Sequence, residues 1–302
     1  MREAWRAGLS GWAMVRVGKT WEIYRPVGLG RTGDHLLMVS TDRLAVFDRV
    51  VPSLILDKGE ITTQISLWWL KQLSGLVTTH LASMDVPEAV AGRAIMARAL
   101  RMIPFQCQVM GYMNQGAMWE YREAGTVGGQ ALPGGLHPSE RLPEPLFIPA
   151  RKGRPGTPDV PVSERTFADA VGEGTAAALR DSSLRLYRRA HEIAASHGLV
   201  LADTKFEFGV NEEVGDIELG DEVMTPDSSH FWLASEYRPG TSQRSFDKEL
   251  VGNWLMEQPE WDAGSFTQPP PLPASVVALT RERYVTVYHM LTGCPWQPRR
   301  AR

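Results

Sequence analysis

The chain has 302 residues, with 32 Lys and Arg against 35 Asp and Glu, and a formal net charge of −3. Hydrophobic residues make up 43% and charged residues 22% of the chain, which excludes a wholly disordered protein and predicts about two lobes at this length. The near-neutral charge provides no general basic field to attract nucleic acid, so we predict no nucleic-acid partner.

The cysteine content and the hydropathy pattern predict a cytoplasmic protein. Cys107 and Cys294 are the only cysteines, too few for a disulfide framework or a cysteine-bound metal cluster. No apolar run reaches the 18 or so residues of a membrane span, and the first 25 residues lack a signal-peptide pattern. We therefore expect no membrane partner.

The first part of the chain is typical of strands followed by a helix. Residues 35–40 and 44–47 are short β-prone runs, and apolar residues recur at helical spacing over 62–76. Pro87 predicts the start of a short helix through residue 101, and residues 105–110 are predicted to return as a strand.

The second part begins with a Gly- and Pro-rich segment, residues 124–162, which we predict to be loops. Ser163 is the predicted N-cap of a helix that ends at Gly198. Short strands and a last helix follow, predicted at 199–202, 206–208, 217–219 and 274–291. We interpret 199–202 and 206–208 as a hairpin-like pair, and the whole order as an α+β fold in two lobes.

The densest polar cluster on an apolar stretch is Asp203-Thr204-Lys205-Phe206-Glu207. In a strand, Asp203, Lys205 and Glu207 point to one face and the alternate residues to the other. Glu207 with Asp221 would then form a carboxylate pair suited to Mg²⁺, with Lys205 beside it as a point charge for a phosphoryl or carboxylate oxygen. A salt-bridged edge strand has the same alternation, and spacing alone slightly favours that interpretation over a metal site.

Eight segments in this order resemble the SAICAR synthetase family of purine biosynthesis, from about residue 16 to 293. The segments are GKTWEIY at 18–24, TDRLAVFD at 41–48, KGEITTQIS at 58–66, IPFQC at 103–107, LPEPLF at 142–147, ADTKFEFG at 202–209, TPDSS at 225–229 and SFDK at 245–248. The two commonest phosphate-loop motifs, GxGxxG and GxxxxGK[ST], are absent.

The resemblance implies a two-lobed fold related to ATP-grasp and kinase-like folds, with a small nucleotide-clasping lobe at 1–105 and a larger lobe at 106–302. It implies a ligase that uses ATP and Mg²⁺ to activate a carboxylate as an acyl phosphate, which an amino acid such as L-aspartate then attacks to give an amide.

Each site role is carried over from the family, position by position. Lys205 and Asp203 are the expected catalytic residues. The expected cofactor-binding residues are Lys19, Lys152, Glu207 and Asp221, and the last two are also the expected Mg²⁺ ligands. The positions expected to contact substrate are Met110, Gly116, His230, Asp227 and Lys248.

The chain departs from the family pattern where the family holds the 5′-phosphate of its nucleotide substrate. Met110 and His230 stand where the family usually has Arg, and Gly116 stands where it has Ser; Gly252 replaces a further Arg near the SFDK segment. Arg binds phosphate through a planar, permanently charged fork that neither Met nor His reproduces. We therefore expect a divergent ligase of specialised metabolism whose carboxylic acid substrate lacks this phosphate.

Two alternatives stay open. In the first, the protein is an authentic SAICAR synthetase whose substrate phosphate is held by other groups, such as Arg122 or Lys248. In the second, it is a non-catalytic, nucleotide-binding regulator, although retention of the metal carboxylates Glu207 and Asp221 argues against that class. A homo-oligomer is compatible with the sequence.

Overall fold

The computed structural model describes residues 6, 8–28, 35–154, 157–264 and 267–299. The described part contains two main sheets, one from each part of the chain, with helices packed against them. Among the described residues, no helix has the length and apolar character needed to cross a membrane.

The first sheet is antiparallel and has five strands. The strands in this part of the chain are β1 (Trp12–Val17), β2 (Trp21–Pro26), β3 (His35–Ser40), β4 (Ala45–Val46), β5 (Arg49–Val50), β6 (Leu81–Ser83) and β7 (Ala94–Arg98). The sheet order is β1-β2-β3-β7-β6, while β4 and β5 pair as a separate small hairpin.

The second sheet has six strands and supports the candidate site. The strands in this part are β8 (Arg101–Tyr112), β9 (Thr126–Val127), β10 (Gln130–Ala131), β11 (Arg141–Arg151), β12 (Val160–Pro161), β13 (Leu199–Val210), β14 (Ile217–Gly220) and β15 (Ser229–Leu233). β13 lies at the centre: β8 pairs along one edge, and β15 and β14 share the other edge. β9 and β10 form a separate hairpin.

Within the described ranges, six α-helices cover the sheets. They are α1 (Lys58–Gln72), α2 (Gln115–Ala124), α3 (Glu164–Val171), α4 (Glu173–Ser196), α5 (Glu249–Met256) and α6 (Ala274–Thr292). The largest core cluster joins α1, α4, α6 and β13, with Trp69, Tyr187, Phe206 and Tyr284 among its buried side chains. Burial of this apolar surface is the main favourable contribution to folding.

The predicted α+β class is confirmed, as are the predicted strand at 35–40 and the last helix, which ends at Gly293 in the left-handed conformation. The predicted helix at 87–101 is wrong. Only Glu88–Val90 forms a helical turn, of the 3-10 type, and Gly92 with φ 88° then redirects the chain into β7. Pairing of β7 with β3 and β6 overrides the local helical preference.

Two further predictions in the second part of the chain are wrong. Residues 199–202 and 206–208 belong to one continuous strand, β13, because its polar middle pairs with β8 instead of turning. Residues 124–162 contain the eleven-residue strand β11 despite Pro143, Pro145 and Pro149. An irregularity in the pairing of β11 with β8 between Arg141 and Leu146 spans the first two of these prolines.

A buried ion pair links α1 to the loop that follows β14. Lys58, the first residue of α1, is 0% exposed and pairs with Asp227, whose other carboxylate oxygen accepts a hydrogen bond of 2.6 Å from the Tyr284 hydroxyl of α6. Ser66 of α1 contacts the same loop, accepting a bond of 2.9 Å from the Val223 amide. The loop's position therefore depends on α1 and α6.

We expect Lys58→Met to lower the free energy of unfolding by about 3 kcal/mol, because it leaves the Asp227 charge buried without its partner. Chemical denaturation measures the change. The control is Lys71→Met at an exposed position of the same helix, expected to change stability by no more than about 0.5 kcal/mol. A loss in Lys58→Met as small as that in the control would contradict this role.

Candidate functional site

The site is built on one face of β13. The side chains of Thr204, Phe206 and Phe208 are buried on the opposite face, with Phe206 and Phe208 in the main core cluster. Strand alternation therefore places Asp203, Lys205 and Glu207 together on the face that meets α2 and the loops after β11 and β14. This is the predicted arrangement, on a central strand and not on an edge strand.

Glu207 and Asp221 come together because Glu207 pairs directly with Gly220 on β14. Asp221 follows at once, in the left-handed conformation with φ 57°. Burial and the Asp221 charge raise the pKa of Glu207 to about 7, and burial raises the pKa of Asp221. Two carboxylates that resist ionisation side by side fit a site for a divalent cation, whose charge would stabilise both anions.

Glu222 belongs to the same acidic cluster, and the sequence analysis missed it. Burial and the charges of Asp227 and Asp221 raise the pKa of Glu222 to about 8. Its carboxylate accepts a hydrogen bond of 3.0 Å from the Thr225 hydroxyl. The signal was present in the sequence, since Glu222 directly follows a predicted metal ligand.

Two lysines border the carboxylate pair. Lys152, which follows β11, forms an ion pair with Glu207. Lys205 lies on the same face of β13, where burial and the nearby charge of Lys248 lower its pKa. A desolvated ammonium beside two carboxylates is suited to bind an anion that enters together with a metal ion.

The turn between β1 and β2 places Lys19 beside Asp48, whose charge also acts on Lys205 of the site. The Arg43 guanidinium donates to the Lys19 carbonyl at 3.1 Å and to the Gly18 carbonyl at 3.2 Å, which fixes the turn. The Lys19 ammonium forms an ion pair with Asp48, and the Asp48 charge also acts on Lys205. The first sheet thus contributes a cation, and the β4–β5 hairpin contributes an anion, near the site.

Asp203 connects the start of α2 with β15. One carboxylate oxygen accepts a hydrogen bond of 3.0 Å from the Asn114 amide, and the other lies 2.8 Å from His230 Nδ1. Asn114 is also the N-cap of α2, accepting from the Ala117 amide at 2.9 Å. Asn114 was another residue missed from the sequence, although Asn before a helical segment is a typical N-cap signal.

The charges around His230 determine its protonation. Burial lowers the pKa of His230, but the Asp203 and Asp247 carboxylates outweigh it and raise the pKa to about 10. Burial also tends to raise the pKa of Asp203. The charge of His230 and the hydrogen bonds from His230 and Asn114 outweigh burial, so the pKa of Asp203 is lowered overall. His230 Nε2 lies 4.0 Å from Asp247 Oδ2, and Glu249 lies in the same group. The sequence predicted a site role for Lys248 but none for Asp247 or Glu249.

Two predicted substrate positions, Met110 and Asp227, are buried among protein groups, whereas Gly116 lies at the start of a helix. Met110 is 1% exposed and packs in an apolar cluster with Met113 and Met118. Asp227 uses both carboxylate oxygens inside the protein, so the structure does not favour its predicted contact with substrate. Gly116 lies in the first turn of α2, next to the Asn114 cap.

Comparison with known proteins assigns this chain to a family. The family model described as SAICAR synthetase matches residues 14–266. The phosphoribosylaminoimidazole-succinocarboxamide synthase of Streptomyces coelicolor is 45% identical over 95% of both chains. The enzyme of the same name from Saccharopolyspora erythraea is 47% identical, over 86% of this chain and 89% of its own.

The chain belongs to the SAICAR synthetase family. It is therefore an ATP-dependent ligase that forms an amide bond, and its substrates, ATP included, are small molecules. The fold agrees: the structure of SAICAR synthase from Saccharomyces cerevisiae in complex with SAICAR covers 96% of this chain and 98% of its own, with a TM-score of 0.83 and 33% identity. A second SAICAR synthase structure gives a TM-score of 0.82 at 32% identity.

The expectation of a divergent ligase of specialised metabolism is wrong. Relatives 42–47% identical over most of the chain carry the name of the purine-pathway synthase, which supports the authentic SAICAR synthetase that was the first alternative. The expectation gave too much weight to four substituted positions and too little to the rest of the chain. Names of synthases also favour an enzyme over the non-catalytic regulator.

We expect Asp203→Asn to lower the pKa of His230 from about 10 toward the usual 6.5, because it removes the carboxylate that contacts Nδ1. NMR titration of the imidazole nitrogens measures this value. The control is Asp169→Asn on the exposed surface of α3, in which the titration of His230 should not change. A His230 pKa that stays near 10 in Asp203→Asn would refute the electrostatic role of Asp203.

Proposed function

We propose that this protein is a SAICAR synthetase of purine biosynthesis, which joins L-aspartate to the carboxylate of a phosphoribosyl-aminoimidazole at the expense of ATP. The observation that carries the proposal is the grouping of Glu207, Asp221, Lys205 and Lys152 on one face of β13. It occurs in a chain that aligns over 95% of its length with a synthase of that name.

Mg²⁺ is the proposed metal, and Glu207 and Asp221 are its proposed ligands. The raised pKa of each carboxyl supports this, because a bound dication would favour the ionised forms. Bound there with ATP, the ion would neutralise charge on the phosphates during phosphoryl transfer. The present partner of Glu207 is Lys152, which would be released toward a phosphate when the metal binds.

The lysines supply the positive charge that the transferring phosphoryl group requires. Lys205, on the strand between Asp203 and Glu207, is proposed to contact the phosphoryl group or the carboxylate that receives it. Lys19 approaches from the turn of the first sheet and is proposed to contact the nucleotide. Asp203, held by Asn114 and His230, is proposed to lie beside the reacting substrate.

The phosphate of the acid substrate needs anchors other than the arginines that this chain lacks. We propose Lys248 and the N-terminal end of α2 at Gly116, where backbone N–H groups favour an anion. The positive charge of Lys248 acts on Lys205, which supports a position near the reacting groups. Arg122 stands at the other end of α2, so it is the weaker of the two earlier candidates.

The remaining proposals concern the lobes of the enzyme, its location, its partners and its oligomeric state. We propose a small nucleotide-clasping lobe at 1–105 and a larger lobe at 106–302, which the separate sheets before and after residue 100 support. We also propose a cytoplasmic location, no nucleic-acid or membrane partner, and compatibility with a homo-oligomer. Size-exclusion chromatography with light scattering measures the oligomeric state.

The function is tested by ADP release with ATP, Mg²⁺, L-aspartate and the phosphoribosyl-aminoimidazole carboxylate. We expect turnover that depends on all four components, with the amide product identified by mass spectrometry. Intact ATP binding without turnover of this acid would refute the proposed substrate. An unphosphorylated imidazole carboxylate is the matched control and should react far more slowly.

Lys205→Met and Asp221→Asn should each lower kcat by about 100-fold or more, because each removes a charge that acts on the transferring phosphoryl group. Lys71→Met, exposed on α1, is the control and should keep its activity. Thermal unfolding of each variant separates lost chemistry from lost folding. Near-normal turnover in either site variant would overturn the assigned phosphate and metal site.

A further inference from the structure

We propose that His230, Asp247 and Glu249 form a second cation site, selective for a divalent transition-metal ion. One ligand atom from each residue lies within 4.8 Å of the other two. The site uses different residues from the Glu207 and Asp221 pair, and its test does not depend on the proposed function.

The orientation of the His230 ring is the observation that favours a metal. Its Nδ1 is engaged by Asp203 at 2.8 Å, and Asp203 is fully buried. Nε2 is left pointing toward Asp247 at 4.0 Å, outside hydrogen-bond distance. A histidine that binds a metal through one ring nitrogen usually donates a hydrogen bond from the other to a carboxylate, and Asp203 is placed to accept such a bond from His230 Nδ1.

The Asp247 carboxylate is also held in place. It is 1% exposed, accepts a hydrogen bond of 2.6 Å from the Glu249 amide and contacts the Ser245 hydroxyl. Two ligands at about 2.1 Å from one ion are about 3–4 Å apart. The observed separations therefore require the side chains to close by only about 1 Å around an ion.

The negative charges around the site favour a bound divalent cation. The carboxylates of Asp203, Asp247 and Glu249 lie around the His230 ring, and their negative charges attract a divalent cation more strongly than a monovalent one. Metal binding would displace the Nε2 proton, as it does for any histidine ligand. The positive charge of Arg283 opposes this attraction, since it interacts with Asp247 and Glu249.

The donor set determines which metal is expected. One imidazole nitrogen and two carboxylate oxygens suit first-row transition metals such as Mn²⁺, Co²⁺ or Zn²⁺, whereas Mg²⁺ prefers oxygen ligands alone. Three protein ligands leave at least one coordination position open. His230 is about one-third exposed, so an open position would be accessible from solvent to an anionic group.

The test is equilibrium dialysis of the full-length, chelator-treated protein against Co²⁺, with excess Mg²⁺ present to occupy the oxygen-only site. We expect one Co²⁺ per chain, with a visible absorption spectrum typical of a nitrogen ligand. His230→Gln and Glu249→Gln should each weaken Co²⁺ binding by at least about tenfold. The matched control, His289→Gln at an exposed position of α6, should leave binding unchanged.

Two results would overturn the proposal. One is the absence of Co²⁺ binding by the unmodified protein in excess Mg²⁺. The other is Co²⁺ binding that His230→Gln and Glu249→Gln leave as tight as in the unmodified protein. Glu249 lies at the start of α5 and is only half-buried, so Glu249→Gln remains decisive even if His230→Gln fails to fold. None of these readouts uses ligase activity.

Discussion

The buried ion pair between Lys58 and Asp227 is the interaction on which the rest of the site depends. It joins the first residue of α1 to the loop after β14, and Tyr284 of α6 completes it from a third element. Charges this deeply buried are tolerated only when they are paired and hydrogen-bonded. The ion pair therefore fixes the loop between residues 221 and 229 at Asp227, while the pairing of Gly220 with Glu207 places Asp221 beside Glu207 at the start of the loop.

Around this fixed loop the protein concentrates carboxylates that repel one another. The pKa values of Glu207 and Glu222 are raised to about 7 and 8 by burial and by their acidic neighbours, an unfavourable arrangement in a protein without a bound cation. Such an arrangement is typical of a functional site, where a ligand supplies the missing positive charge. The lysines on β13 and after β11 balance part of this negative charge.

Much of the site was predictable from local sequence, because strand alternation alone puts Asp203, Lys205 and Glu207 on one face. The residues missed were those whose role comes from distant partners: Asn114 through its contact with Asp203, and Glu249 through its position near His230. The proline-rich strand β11 was missed for a related reason. Local composition predicted a loop, and pairing with β8 decided otherwise.

By itself, the sequence determined the family, the α+β class and the alternation on β13, because ordered motifs and periodicity are local properties of a chain. It also led to a wrong expectation, since substituted positions such as Met110 and His230 were judged one at a time and without their neighbours. Only the tertiary structure decided that Met110 packs in an apolar cluster and that Asp227 is held by Lys58. Burial and electrostatic environment are set by residues far apart in the chain, and no local pattern encodes them.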